Sequence, residues 1–144
     1  MAEKPLAAIR RFKREDIKKI LEIEQQAFPK TPYSKGTFLN YARRLPDSFL
    51  VLETGPDIAG YIIFDMGGHI HSTAVTPAYR RKGFGTMLFI HVVSCSQKRP
   101  WLEVRSRNDS AIDFYHSLGM KIVRRIPNYY GNDDAHIMIL DDKR

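Results

Sequence analysis

At 144 residues, with 43% hydrophobic and 27% charged side chains, the chain has the size and composition of one soluble globular domain. No run of about 18 apolar residues would cross a bilayer, and Met1–Pro5 lacks the apolar core of a secretory leader. A single cysteine, Cys95, excludes an intrachain disulfide and fits a reducing cytoplasm.

The net charge of +7, from 23 Lys and Arg against 16 Asp and Glu, reads either as a solvated basic surface or as a surface for an anionic partner. Zinc-ligand spacing and an aromatic–basic strand signature are both missing, which disfavours nucleic acid. A small polyphosphorylated ligand accounts more economically for the cations at 80–82.

In chain order, residues 6–11 read as a first strand and residues 14–27 as a helix, with Ile17, Ile20, Leu21, Ile23 and Ala27 at near-helical spacing. Pro29 and Pro32 break it, and Ser34 caps a second helix running to about Arg43. Residues 48–53 and 57–65 read as paired strands around Thr54-Gly55-Pro56, and residues 69–75 as another strand. The helix after Gly83 carries Phe84, Met87, Leu88, Val92 and Cys95 on one stripe, which assigns Cys95 to the core. Residues 101–105 form a strand, residues 108–118 a helix closed by Gly119, and residues 120–126 and 135–140 the last strands. The order implies a mixed α/β sheet in one domain spanning residues 1–144.

The densest chemistry lies at Val75–Thr86: strand, Pro turn, three cations, Gly-x-Gly, helix start. A helix N-terminus offers unpaired N–H groups and partial positive charge, and so favours phosphate. Taken alone the segment is also compatible with a capped helix bearing solvated Arg and Lys. It matches neither a dinucleotide fingerprint nor a P-loop.

In the strand 101–105, Leu102 and Val104 share one face and Trp101, Glu103 and Arg105 the other. Asn108 and Tyr115, seven apart, share a helix stripe. A Glu103 in a cross-strand ion pair with a nearby Arg, and a core Tyr115 with its hydroxyl satisfied, are at least as consistent with that pattern as catalytic roles. Adjacent Tyr129 and Tyr130 in a polar loop suggest a lid or recognition wall, or rings packed on the sheet. The five histidines show no metal-ligand spacing beyond a same-face pair, His69 and His71, so no metal is expected.

Three motifs then carry a resemblance over nearly the whole chain. Arg80-Arg81-Lys82-Gly83-Phe84-Gly85 resembles the Gln/Arg-x-x-Gly-x-Gly motif of the GNAT acetyltransferases. The run Leu102–Arg105, Asn108, Ala111–Tyr115, Leu118–Met120 resembles the family's second half. Asn128-Tyr129-Tyr130 followed by Asp134-Ala135 and Met138 resembles N-terminal protein acetyltransferases of RimI type and their archaeal counterparts, and Gly68–Val75 looks most like the archaeal members. The resemblance implies a GNAT fold: a mostly antiparallel central sheet of six to seven strands with about four helices. It implies acetyl-CoA as co-substrate, protein or peptide N-termini as acceptor, and a cytoplasmic enzyme.

By the same resemblance, Thr73, Ala74 and Val75 would pair with the pantetheine arm through their main chain. Arg80, Arg81, Lys82, Gly83, Phe84, Gly85 and Thr86 would hold the pyrophosphate, and Asn108 and Tyr115 would contact the cofactor. Glu103 matches a general base and Tyr115 a general acid. Phe28, Tyr33, His69, Tyr129 and Tyr130 would line the acceptor's place. His71, Thr73 and His136 depart from the usual residues at their positions, and the loop at 28–34 lacks an acidic residue that some members carry.

Acyl transfer needs a neutral amine. An α-amine (pKa about 7.7–8.0) surrenders its proton roughly 3–4 kcal/mol more easily than a lysine (about 10.4), which favours N-termini. Glu103, near its reference of about 4.3, would be a weak base, with His69 or His136 as rivals since imidazoles titrate at about 6.5. A lysine-directed or small-amine GNAT enzyme, a non-catalytic acyl-CoA module and a basic RNA-binding module are the other readings.

Overall fold

The computed structural model describes residues 7–141. The leader reading at Met1–Pro5, and Leu6 of the first strand, lie outside them. Seven strands and four helices follow the expected order: β1 (Ala7–Arg11), α1 (Ile17–Ala27), α2 (Lys35–Arg44), β2 (Phe49–Thr54), β3 (Asp57–Phe64), β4 (Ile70–Val75), α3 (Phe84–Cys95), β5 (Trp101–Arg105), α4 (Asp109–Ser117), β6 (Met120–Ile126) and β7 (Ala135–Leu140). The strands form two sheets rather than one, a four-stranded β1-β2-β3-β4 and a three-stranded β5-β7-β6. Hairpin patterning along the chain sets which neighbours pair but not where pairing stops, so the division was not legible beforehand.

The chain forms two compact units. The first runs to Asp65 and takes in His71–His91; the second comprises Met66–Ile70 and the chain from Val92 onward. In the first, β2 pairs antiparallel with β1 and β3, and the β2–β3 turn places Gly55 at φ +60. Ile20 and Ile23 of α1, Phe38 of α2 and Phe49, Val51, Tyr61 and Ile63 of the sheet form one buried cluster. Fully burying such a side chain contributes about 1.5–3 kcal/mol, so this cluster fixes how α1 and α2 lie on the sheet. The first helix begins later than its periodicity suggested: Arg14–Asp16 is a 3-10 turn. Asp16 accounts for it, accepting from the Lys13 backbone N–H (2.7 Å) and pairing with Arg10. The Ser34 cap forms as expected, its hydroxyl accepting from the Thr37 N–H at 3.2 Å.

In the second unit β7 pairs antiparallel with β5 and β6. Its buried apolar residues include Ile70, Val92, Leu102, Val104, Ile112, Met120, Ala135 and Met138. His69 makes an isolated parallel bridge to Trp101. Gly68 is required there twice over: its φ is +87, and a Cβ would stand 2.4 Å from the Arg99 carbonyl oxygen.

The stripe expected on α3 needs correction. Leu88, Phe89 and Val92 are buried, while Met87 and Cys95 are exposed. The helix is apolar on nearly every side, so periodicity does not single out one face. Cys95 is therefore not a core residue.

Candidate active site

Within the first unit, β4 ends its sheet, so the outer backbone edge of Thr73, Ala74 and Val75 has no strand partner in that sheet. Thr73 is held by its hydroxyl, which donates to the Tyr61 carbonyl at 2.9 Å. Past Val75 the chain makes a 3-10 turn at Pro77–Tyr79, and Tyr79 donates to Asp57 Oδ2 at 3.1 Å. Arg80 Nε reaches back to the Val75 carbonyl at 3.3 Å, leaving the basic loop anchored at its base. Arg81 (φ +63) and Gly83 (φ +81) both take the left-handed conformation before α3 begins at Phe84. Such a turn into a twelve-residue helix concentrates N–H groups and partial positive charge, with Arg80, Arg81 and Lys82 exposed around it. Exposed N–H groups and cations of this kind suit a compact polyanion.

Phe28 and Tyr33 stand in the same unit, on the segment that joins α1 to α2. Phe28 closes α1, its N–H bonded to the Glu24 carbonyl at 2.8 Å. Tyr33 packs against Phe38 and Tyr41, and its hydroxyl donates to the His71 carbonyl at 3.4 Å.

The second unit gathers Glu103, His69 and Tyr129. Glu103 Oε1 lies 2.7 Å from His69 Nε2, and Tyr129 donates to Oε2 at 3.3 Å. The His69 ring stacks on Trp101 at 4.0 Å and 9°, which fixes the plane of the imidazole. Burial pushes the Glu103 carboxyl up, but the His69 hydrogen bond and charge, with the Tyr129 hydroxyl, outweigh it and hold the group below the ordinary carboxylate range. The ion-pair alternative is thus half right: Glu103 is paired, with a histidine rather than an arginine.

The loop between β6 and β7 is braced. Ser106 donates to Asp133 Oδ1 at 2.6 Å, and the Asn128 N–H donates to Asp134 Oδ1 at 2.8 Å, with Asn128 at φ +56. Tyr129 and Tyr130 meet edge to face at 4.9 Å, and the Arg105 guanidinium sits 4.2 Å over the Tyr130 ring. Burial, then the Glu103 charge, pushes the Tyr130 phenol up to about 12.

Tyr115 is half-buried on α4, and burial pushes its phenol up to about 12. Asn108 caps α4, its Oδ1 accepting from the Ala111 N–H at 3.2 Å. That structural duty was missed in the sequence, although Asn before a helix is a strong cap signal. His136 pairs in register with Val104 and so lies on the sheet face opposite Glu103, with a buried Nδ1 that has no hydrogen-bond partner among the described residues. His71 is engaged by Asp65 (2.9 Å) and by Tyr41 (3.4 Å).

Sequence reasoning overlooked Glu24, which is 2% exposed. Its signal was present: Ile20, Ile23, Glu24 and Ala27 follow i, i+3, i+4, i+7, so a carboxylate occupies the apolar stripe.

Residues 14–120 match the acetyltransferase (GNAT) family model, a span that runs through both units. An uncharacterised N-acetyltransferase of Methanocaldococcus jannaschii is 33% identical over 94% of this chain and 91% of its own length. The ribosomal protein bS18-alanine N-acetyltransferase of Escherichia coli is 33% identical over 87% of this chain and 90% of its own. The crystal structure of Ard1 from Thermoplasma volcanium superposes with a TM-score of 0.82 at 30% identity, covering 94% of this chain and 99% of that one.

Proposed function

Because the chain belongs to the GNAT acetyltransferase family, we propose that it transfers the acetyl group of acetyl-CoA to the N-terminal α-amine of a protein or peptide. The observation that carries the reading is the Glu103–His69–Tyr129 cluster. Support comes also from the Escherichia coli relative, which is named a ribosomal protein bS18-alanine N-acetyltransferase.

The α3 N-terminus and its loop cations, Arg80, Arg81 and Lys82, would bind the pyrophosphate. The outer edge of Thr73–Val75 would pair with the pantetheine amides and supply an N–H to the developing oxyanion. Asn108 would contact the cofactor through atoms that its cap leaves over. Phe28, Tyr33, Tyr129 and Tyr130 would hold the acceptor's first residues.

The α-amine loses its proton to the Glu103–His69 pair. Glu103 alone, held low, is poorly matched to an amine of pKa about 7.7–8.0. His69, hydrogen-bonded to Glu103 and held in plane by Trp101, supplies the nitrogen base of the pair. The neutral nitrogen attacks the thioester carbonyl, the C–S bond breaks, and the thiolate departs. A phenol at about 12 would protonate a thiolate of conjugate acid about 8.5 only at a cost of about 5 kcal/mol. Tyr115 is therefore assigned as a hydrogen-bond donor to the sulfur, with the proton that completes the thiol coming from the amine.

Nothing in this chemistry requires a metal. Among the described residues no helix is long and apolar enough to cross a membrane, and the proposed place of action is the cytoplasm. The test is coenzyme A release with two peptides, one with a free N-terminus and no lysine, the other N-blocked and bearing lysine. Release with the first alone supports the reading; equal release with both refutes it.

A further inference from the structure

Glu24 is a buried carboxylate that the chemistry above does not use. Among the described residues no Lys or Arg pairs with it. Its Oε2 accepts from the Tyr33 backbone N–H at 2.9 Å, and its Oε1 accepts a short hydrogen bond from the Tyr61 hydroxyl. Tyr61, wholly buried, also bonds Ser72 Oγ of β4 at 2.8 Å. Burial pushes the Glu24 carboxyl up, against the opposing pull of these two bonds.

A buried carboxylate without a cation is costly, and an apolar residue of similar size would serve the stripe of α1 at no such cost. What the carboxylate supplies is an acceptor for one backbone N–H on a loop that contains Pro29 and Pro32 and has few N–H groups to anchor. Tyr33 is consequently gripped at both ends: its N–H by Glu24, its hydroxyl by the His71 carbonyl, with its ring between Phe38 and Tyr41.

We propose that Glu24 is a positioning residue for the acceptor: its carboxylate fixes Tyr33, and with it residues 28–34, in the conformation that receives the substrate's first residue. The proposal rests on the reading of Tyr33 as an acceptor-binding residue. Ser72 and Tyr61 hold the carboxylate in turn, so the loop is referenced to β3 and β4 through side chains rather than by its own backbone.

The experiment has three parts. Amide hydrogen exchange on the wild-type protein should show the Tyr33 N–H protected at least 100-fold relative to the amide of the exposed Lys30. Steady-state kinetics with a free-N-terminal peptide should then show E24L raising the peptide KM at least 10-fold, with kcat and the acetyl-CoA Kd within 2-fold of wild type. E24Q, whose amide oxygen can still accept from Tyr33, should stay within 3-fold in KM. A merely structural role would instead lower Tm and the active fraction, seen in kcat, and leave KM alone. If E24L does not fold, E24D, one methylene short, takes its place.

An unprotected Tyr33 amide, a folded E24L or E24D with wild-type peptide KM, or an equal KM rise in E24Q and E24L would each overturn the proposal. Wild-type protein that acetylates no free α-amine would instead remove the reading beneath it, and that is seen before any variant is made.

Discussion

Replacing Glu103 by Gln keeps the size of the side chain and removes its charge. The 2.7 Å contact to His69 is then no longer a charge-assisted bond. Such bonds contribute about 1.5–3 kcal/mol, which at about 1.36 kcal/mol per decade is roughly 10- to 150-fold. Loss of a proton-accepting pair adds to this, since general base catalysis contributes about 10²–10⁴-fold. The expected result is a fall in kcat of at least ~10²-fold. The acetyl-CoA Kd, measured by calorimetry, should stay within about 2-fold, because the loop at 80–86 is untouched. Since the two residues act as one unit, H69Q should cost about as much, and the double variant little more than either alone.

Stability should respond to pH as well. The Glu103 carboxyl lies lower in the folded state than unfolded, so it stabilises the fold above the unfolded value of about 4.3 and loses that contribution as pH falls through the folded value. The gap in urea stability between wild type and E103Q should therefore shrink from pH 7 to pH 3. Full rate in E103Q, or a loss of cofactor affinity that matches the loss of rate, would refute the reasoning.

Three further outcomes follow from particular contacts. Y115F should lower kcat about 10-fold or more with the acetyl-CoA Kd nearly unchanged, as expected of a donor to sulfur. Replacing Arg80, Arg81 and Lys82 together by Ala should weaken acetyl-CoA binding by at least ~10-fold and flatten its salt dependence, since exposed charges are screened. Gly68→Ala, whose Cβ would meet the Arg99 carbonyl oxygen at 2.4 Å in a left-handed conformation, should cost about 2–4 kcal/mol in urea denaturation.

Local signals carried the elements well. Ser34 before α2, Gly119 (φ +94) after α4 and the exposed turn at Gly55 mark chain punctuation that depends on neighbours in sequence, and all were legible there. Strands β6 and β7 and the face alternation of Leu102, Glu103 and Val104 were legible for the same reason. Long-range pairing was not. The partner of Glu103 is His69, 34 positions away, and no periodicity names it. The same holds for Tyr129 on Glu103 and for Arg105 over Tyr130. On α3, an almost uniformly apolar sequence hid which side is buried, and so Cys95 was misplaced. Glu24 was hidden differently: a charged residue on an apolar stripe reads as an exception until its partners, Tyr33 and Tyr61, are seen.

The central claim is that the amine acted on is the α-amine. The most direct measurement offers one peptide carrying both a free N-terminus and an internal lysine, with acetyl-CoA at pH 7, and locates the acetyl group by tandem mass spectrometry. A pKa difference of about 2.5 units makes the neutral α-amine roughly 300-fold more abundant than the neutral lysine. Acetylation at the N-terminus, in excess of lysine by about two orders of magnitude or more, is the expected result. Comparable acetylation at both positions, or acetylation of the lysine alone, would contradict it.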